Sequence, residues 1–284
     1  MSKNIILIYF ILFLYACRTE NIETDTPQKE VSQSNVSYGT DPKQAMDIYL
    51  PAGRKASETP FLVLIHGGGW TSGDRSDFKS IVDTIKTRLP GYAVFNISYR
   101  LAANGQNLFP TQENDVKAAL NFIFSNLTEY KISDRFALIG ASAGGHLALL
   151  NAYKESATRK AKAVVSFFGP TDLVQFYNNP PSLLVPLVLQ SVTGFTPANN
   201  LSLYQSSSPT TYAVQGSSPT LLIHGGADQV VPPSQSVLLK DKLSGLNVPH
   251  QYVFYPNGGH GDWDAATYKD AFNQLQAFLL KHMP

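Results

Sequence analysis

The stretch Phe136-Ala137-Leu138-Ile139-Gly140-Ala141-Ser142-Ala143-Gly144-Gly145 reads as a strand that runs into a sharp turn with a serine at its apex. The first four residues are apolar, as in a strand buried on both faces, and a helical run follows over residues 143–154. So tight a strand-to-helix turn holds the serine in a sparsely populated backbone region and draws neighbouring chain close to it. Only residues without bulky side chains fit there, and Gly140, Gly144 and Gly145 supply them. The turn presents the Ser142 hydroxyl at the top of a sheet. The helix beginning there aims free N–H groups and the positive end of its dipole at the same place, where a developing oxyanion is stabilised. The motif is short, and glycines that merely let a helix pack on a strand would read alike, so its surroundings must decide.

Outward from this turn, apolar runs alternate with helical patterns. Strands are expected over residues 45–50, 61–65, 92–97, 136–139, 163–168, 220–223 and 251–255, and helices over 80–89, 115–127, 143–154 and 268–280. This alternation predicts an α/β domain with a mostly parallel central sheet and helices on both faces. One segment breaks it. Residues 173–212 carry Pro180, Pro181, Pro186, Pro197 and Pro209 beside an apolar stretch over 183–189. They are too long for an ordinary connection and too apolar for a disordered linker, so a small lid over the site is expected, a peripheral insertion being the alternative. No internal repeat is visible.

The chain has 284 residues, 15% of them charged, and a formal net charge of +1. There is room for one large core, and without a basic block or acidic tail nucleic-acid binding has no support. The lone cysteine, Cys17, leaves no intramolecular disulfide and no cysteine-based metal site. Lys3 precedes an unbroken aliphatic and aromatic run over residues 5–15, too short to span a bilayer but suited to a signal-peptide core. Leu14-Tyr15-Ala16-Cys17 resembles the lipobox of bacterial lipoproteins, although Tyr15 departs from the small residue usual there. That resemblance implies a signal peptide over 1–17, lipidation of Cys17, and export to the periplasmic face, outer membrane or cell surface. A periplasmic or secreted protein with an ordinary signal, or an uncleaved anchor, is the alternative. Residues 18–36 are polar and read as a flexible tether to a domain over 37–284.

Three expected strand ends carry reactive residue types. Ser142 follows one, Asp228 follows Leu221-Leu222-Ile223, and His260 stands in Asn257-Gly258-Gly259-His260-Gly261 after the last strand. In open α/β sheets chemistry collects at such carboxyl ends. A serine hydroxyl is a poor nucleophile near neutrality, so His260 would take its proton and later pass it to the leaving group, while Asp228 fixes the imidazole tautomer. This chemistry requires no metal and no cofactor. Oxyanion donors are expected from the backbone N–H groups of Gly68 and Gly69, in His66-Gly67-Gly68-Gly69-Trp70 after the strand over 61–65, and from Ala143. Trp70 is a candidate for the substrate pocket or the core. His66 reads as holding the oxyanion loop, and His146 and His224 as structural. His250 and His282 read as surface residues, Arg100 and Asp115 as a buried pair. Asp172, in Phe168-Gly169-Pro170-Thr171-Asp172, is the rival candidate for the acid.

The order Ser…Asp…His and the contexts of these residues resemble the carboxylesterase and hormone-sensitive-lipase-like branch of the α/β-hydrolases. Asp47-Ile48-Tyr49-Leu50-Pro51, Ser98-Tyr99-Arg100-Leu101 and Gly144-Gly145-His146-Leu147-Ala148 resemble bacterial acetyl- and feruloyl-esterase-like (BD-FAE-like) serine esterases more closely. Hormone-sensitive-lipase relatives often place an acid before the nucleophile, where this chain has Ala141, which favours the small-ester branch. The resemblance covers residues 38–281. It implies an α/β-hydrolase fold and hydrolysis of small-acyl carboxylic esters, with acetyl or feruloyl groups on polysaccharides as one substrate class. A serine peptidase or amidase of the same fold is the alternative, and a non-catalytic carbohydrate-binding or adhesion protein a third. Expected partners are a small-molecule or polysaccharide-linked ester, with membrane contact only through the N-terminal anchor.

Overall fold

The computed structural model describes residues 28–154 and 159–284. The expected signal peptide over 1–17, with Cys17, and the first part of the tether lie outside the described residues. The described chain runs through β1 (Val31–Ser37), β2 (Ala45–Leu50), β3 (Phe61–Ile65), α1 (Lys79–Arg88), β4 (Ala93–Ile97), α2 (Thr111–Ser125) and α3 (Leu127–Tyr130). It continues through β5 (Phe136–Ala141), α4 (Ala143–Lys154), β6 (Ala163–Phe167), α5 (Leu173–Asn178), α6 (Leu184–Thr193), α7 (Leu201–Ser206) and α8 (Pro209–Tyr212). It closes with β7 (Thr220–Gly225), α9 (Ser234–Gly245), β8 (His250–Tyr255) and α10 (Ala265–His282).

One eight-stranded sheet, in the order β1-β2-β4-β3-β5-β6-β7-β8, organises the domain. The pairs β1·β2 and β2·β4 are antiparallel, and every later pair is parallel. Side chains alternate across the pleat, so a strand buried on both faces feeds two cores. Phe61, Val63 and Ile65 of β3 join the side chains of α2, α4 and α9, whereas Leu62 and Leu64 join those of α1 and α10. β5 divides likewise, with Phe136 and Leu138 on the first face and Ala137 and Ile139 on the second. The result is the α/β-hydrolase architecture, with the carboxyl ends of β3, β5, β6, β7 and β8 side by side.

The serine turn is as tight as its composition demands. Ser142 has φ +55°, and its N–H donates to Phe167 O of β6 at 2.8 Å. A Cβ added at Gly144 would stand 2.0 Å from Ile65 O, and one at Gly140 would stand 2.2 Å from the Gly144 backbone. Helix α4 therefore rests on the end of β3 with backbone against backbone.

One expectation needs correction, and one helix carried no signal. The tether expected to run to residue 36 ends earlier, because Val31–Ser37 forms the edge strand β1. No apolar alternation marks it. Only Val31, Val36 and their backbone ladder bind it to β2, helped by the Asn35 N–H donating to Asp47 Oδ1 at 2.9 Å. Helix α9, left unassigned in the sequence, has an inward stripe of Gln235, Leu239 and Leu243 with Ser236 beside it. Two polar residues on the buried face erase the apolar period. Gln235 is there for its hydrogen bonds: its Oε1 accepts the N–H groups of Thr171 and Asp172 at 2.8 and 2.9 Å.

Residues 173–212 fold into the four short helices α5 to α8. Helix α6 turns Val185, Leu189 and Val192 inward and leaves Leu184 and Leu187 exposed, at 68% and 61%. Replacing Gly144 with Ala is expected to lower unfolding stability by about 3 kcal/mol, since the new methyl meets a backbone carbonyl that cannot move aside. Urea denaturation of the variant, followed by circular dichroism, checks this.

Candidate active site

Ser142, His260 and Asp228 come together over the carboxyl ends of β5, β8 and β7. Ser142 Oγ lies 2.9 Å from His260 Nε2, and His260 Nδ1 lies 2.7 Å from Asp228 Oδ2. Since ionised Asp228 can only accept, Nδ1 carries the proton, and Nε2 presents a lone pair to the serine hydroxyl. The same chain of hydrogen bonds sets the imidazole tautomer that proton abstraction from Ser142 requires.

Asp228 is buried, and its side chain has no solvent exposure. Burial pushes its pKa up, but hydrogen bonds from His224 and His260 outweigh burial and hold the carboxyl well below the usual range. The Oδ1 atom adds the N–H groups of Val230 and Val231 at 2.8 and 2.9 Å. Four donors around one carboxylate explain why it stays charged without solvent contact. His224 has the structural part expected of it. Its Nδ1 accepts from Ser236 Oγ at 2.7 Å, and its Nε2–H points to Val231 O at 2.9 Å and to Asp228 Oδ2 at 3.4 Å.

The rival carboxylate, Asp172, is elsewhere. Its Oδ1 accepts the Gln175 N–H at 2.9 Å as the N-cap of α5, and it makes no contact with His260. Gln235 on α9 fixes it in that place.

The His260 loop is clamped on both sides of the imidazole. Trp263 Nε1–H donates to Gly259 O at 2.9 Å, and the Tyr268 hydroxyl donates to Gly261 O. The Phe168 ring packs 4.6 Å from the imidazole, centre to centre. These three aromatic residues were not singled out in the sequence, although Trp263 stands three positions beyond His260 in a glycine-rich loop.

Across the serine, Gly67 passes so near that an added Cβ would lie 3.3 Å from Ser142 Cβ. Gly68 has φ +100°, and a side chain there would strike Ser72 O at 2.1 Å. Gly68 and Gly69 both line the cleft. Ala143 is the first residue of α4, so its N–H has no acceptor within the helix. The three expected oxyanion donors thus lie on the two segments that flank Ser142.

This loop is braced from beneath. The His66 ring stacks on Tyr99 at 4.2 Å, its Nδ1–H donates to Gly67 O at 2.8 Å, and the Tyr99 hydroxyl donates to His66 O at 3.0 Å. Trp70 Nε1–H donates to His146 Nδ1 at 3.3 Å, and His146 Nε2–H donates to Ser207 O at 2.7 Å. Buried His146 therefore ties the oxyanion loop to the insertion, and burial lowers its pKa to about 4. Trp70 serves both readings made of it, buried at 3% exposure yet lining the cleft. Arg100 and Asp115 pair at 2.6 Å away from the serine, as expected of a structural link.

The cleft above Ser142 has a volume of about 670 Å³. Its walls are mainly apolar. Phe78 and Trp70 stand on the oxyanion-loop side, and Phe176, Val185, Val188 and Leu189 come from α5 and α6. Residues 173–212 therefore form part of the wall over the serine.

Solved structures carry the same architecture. A bifunctional GH43-CE protein of Bacteroides eggerthii superposes with a TM-score of 0.76 at 28% identity, over 87% of this chain and 38% of that one. A truncated form of a carbohydrate esterase from gut microbiota gives 0.72 at 26% identity, over 87% of this chain and 96% of that one. Fold and strand-end constellation thus place the chain among the α/β-hydrolases. The BD-FAE family model matches residues 46–243, and the chain belongs to that family. Among curated relatives, esterase LipC of Mycobacterium tuberculosis is 25% identical over 82% of this chain and 60% of its own. The chain spans between 47% and 60% of the length of the mycobacterial relatives it matches.

The buried histidine gives a pH signature. Unfolded His146 binds a proton below about pH 6.5, while the folded residue stays neutral down to about 4. Over that window the unfolded state binds more protons, so stability is full above about pH 6.5 and falls on acidification, by up to about 1.4 kcal/mol per pH unit from this residue. Urea titrations at pH 7 and pH 5 are expected to show the loss, with His66, also lowered by burial, adding to it. His146→Asn is expected to flatten the slope.

Proposed function

We propose that the protein is a serine carboxylic ester hydrolase that is exported and acts on small-acyl esters. The observation that carries this reading is the continuous hydrogen-bonded chain Ser142–His260–Asp228 at the foot of an apolar cleft, beside a glycine loop that can turn backbone N–H groups inward. Ser142 Oγ attacks the ester carbonyl carbon as His260 Nε2 takes the hydroxyl proton. The carbonyl oxygen, now an oxyanion, is received by the N–H groups of Gly68, Gly69 and Ala143. Collapse breaks the bond to the alcohol oxygen, which leaves with the proton from His260. A water deprotonated by the same imidazole then attacks the acyl-enzyme and releases the acid. Asp228 stays ionised and steadies the imidazolium in both halves.

The relatives and neighbours named as esterases support the reaction class. The carbohydrate esterase among the neighbours supports a polysaccharide-linked ester, with acetyl or feruloyl groups as the acyl class. Export and an anchor at Cys17 rest on the charged start, apolar run and lipobox-like end of residues 1–17. The insertion over 173–212 is read as a lid that contacts substrate.

A fluorophosphonate probe is expected to label the protein, and Ser142→Ala to remove the label without unfolding the domain. Asp228→Asn is expected to lower kcat on an aryl acetate by roughly 10³- to 10⁴-fold, and Asp172→Asn by less than about twofold, since helix capping tolerates Asn. A larger loss at Asp172 would overturn the assignment of the acid. Among aryl esters of increasing acyl length, acetylated xylan and feruloylated oligosaccharide, long acyl chains are expected to be the poorest substrates. Turnover of aminoacyl amides in place of esters would move the protein to the peptidase class.

A further inference from the structure

Ser142 and His260 share their cleft with one carboxylate. Asp77 lines the same cavity, on the short 3-10 helix Arg75–Phe78 that follows the oxyanion loop. No Lys or Arg is among the lining residues, and Asp77 is the only Asp or Glu.

The side chain is held in place. Its Oδ2 accepts the Asp74 N–H at 3.1 Å as half of a capping box, and an added Cβ at Gly73 would stand 2.9 Å from that oxygen. Among the described residues Oδ1 has no hydrogen-bond partner and no cation pairs with the group. The adjacent Arg75 is committed elsewhere, its guanidinium meeting Asp47 at 2.9 Å, Ser98 Oγ at 3.1 Å and Asn35. This carboxylate is open to solvent and belongs to a wall otherwise built largely from residues such as Trp70, Phe78, Val188 and Val230. Solvent screens such a charge in part, and the apolar side of the wall carries the remainder of its field into the cleft.

We propose that Asp77 is a specificity-determining residue, which selects against esters that bring a negative charge into the cleft. The proposal rests on the ester-hydrolase reading above and adds the charge of the substrate to it. Capping the 3-10 helix would need only one carboxylate oxygen, and an asparagine would serve as well. Capping therefore does not account for the charge, and the charge is what selectivity against anions requires. Repulsion acts on any anion in the cleft, whether the charge lies on the acyl or the alcohol side.

The test compares kcat/KM for 4-nitrophenyl methyl succinate, which is neutral, and 4-nitrophenyl hemisuccinate, which is anionic and of similar length. Differences in intrinsic reactivity cancel when the neutral-to-anionic ratio is compared between proteins. Asp77→Asn keeps the capping acceptor and is expected to lower the ratio about three- to tenfold, as for one partly screened charge. Asp77→Glu is expected to keep the ratio. In the wild type, raising NaCl to about 0.5 M is expected to lower it in the same direction, a reading that needs no variant to fold. A ratio that is unchanged in Asp77→Asn and insensitive to salt overturns the proposal. Failure to turn over the neutral ester, together with failure to take the fluorophosphonate label, would instead remove the ester-hydrolase reading beneath it.

Discussion

The structure depends on one close approach, that of the α4 backbone to the end of β3. At Gly144 the separation leaves no space for a methyl group, and at Ser142 the chain accepts a left-handed conformation that a serine rarely adopts. Such strain costs on the order of 1–3 kcal/mol and persists only where packing over-determines it. Here the parallel strands β3, β5 and β6 bind the turn from three sides, the last through the Ser142 N–H. The fully buried pairs between these strands, each large side chain worth about 1.5–3 kcal/mol, offset that strain many times over. Rigidity of the sheet is thus the source of the serine's geometry.

A second constraint is electrostatic. A carboxylate without solvent exposure is costly unless its lone pairs are met, and Asp228 meets them with two backbone N–H groups and two imidazoles. His224, fixed by Ser236 of α9, supports the acid from behind while His260 engages it from the front. Helix α9 therefore serves the site twice, through Ser236 behind Asp228 and through Gln235, which keeps the rival carboxylate, Asp172, in a capping role.

Much of this was legible in the sequence because each element carried a local signal. Continuous apolar runs marked the strands buried on both faces, and small residues marked the serine turn. Ser142 and Asp228 were readable since each comes shortly after such a run, and His260 since it stands in a glycine-rich loop beyond the last strand; the structural parts of His66, His146, His224 and Arg100 with Asp115 hold in the structure. What escaped had no local signal. β1 is polar and exists through its ladder with β2 and the Asp47–Arg75–Asn35 network. Gln235 and Ser236 broke the stripe of α9 because they answer to distant loops. Trp263 and Tyr268 hold the His260 loop through its carbonyls, contacts that spacing along the chain does not announce. Asp77 belongs to a single 3-10 turn too short to show a period.

The edge position of β1 bears on how the domain can be attached to anything else. From β1 the sheet passes through β2, β4 and β3 before reaching β5, four strand spacings or about 19 Å of lateral distance. The strand that delivers His260, β8, is at the opposite margin. Chain leading into β1 therefore joins the domain at the flank away from β8 and from the insertion that walls the cleft. Anything fastened there would hold the domain by its far side and leave the mouth of the cleft uncovered.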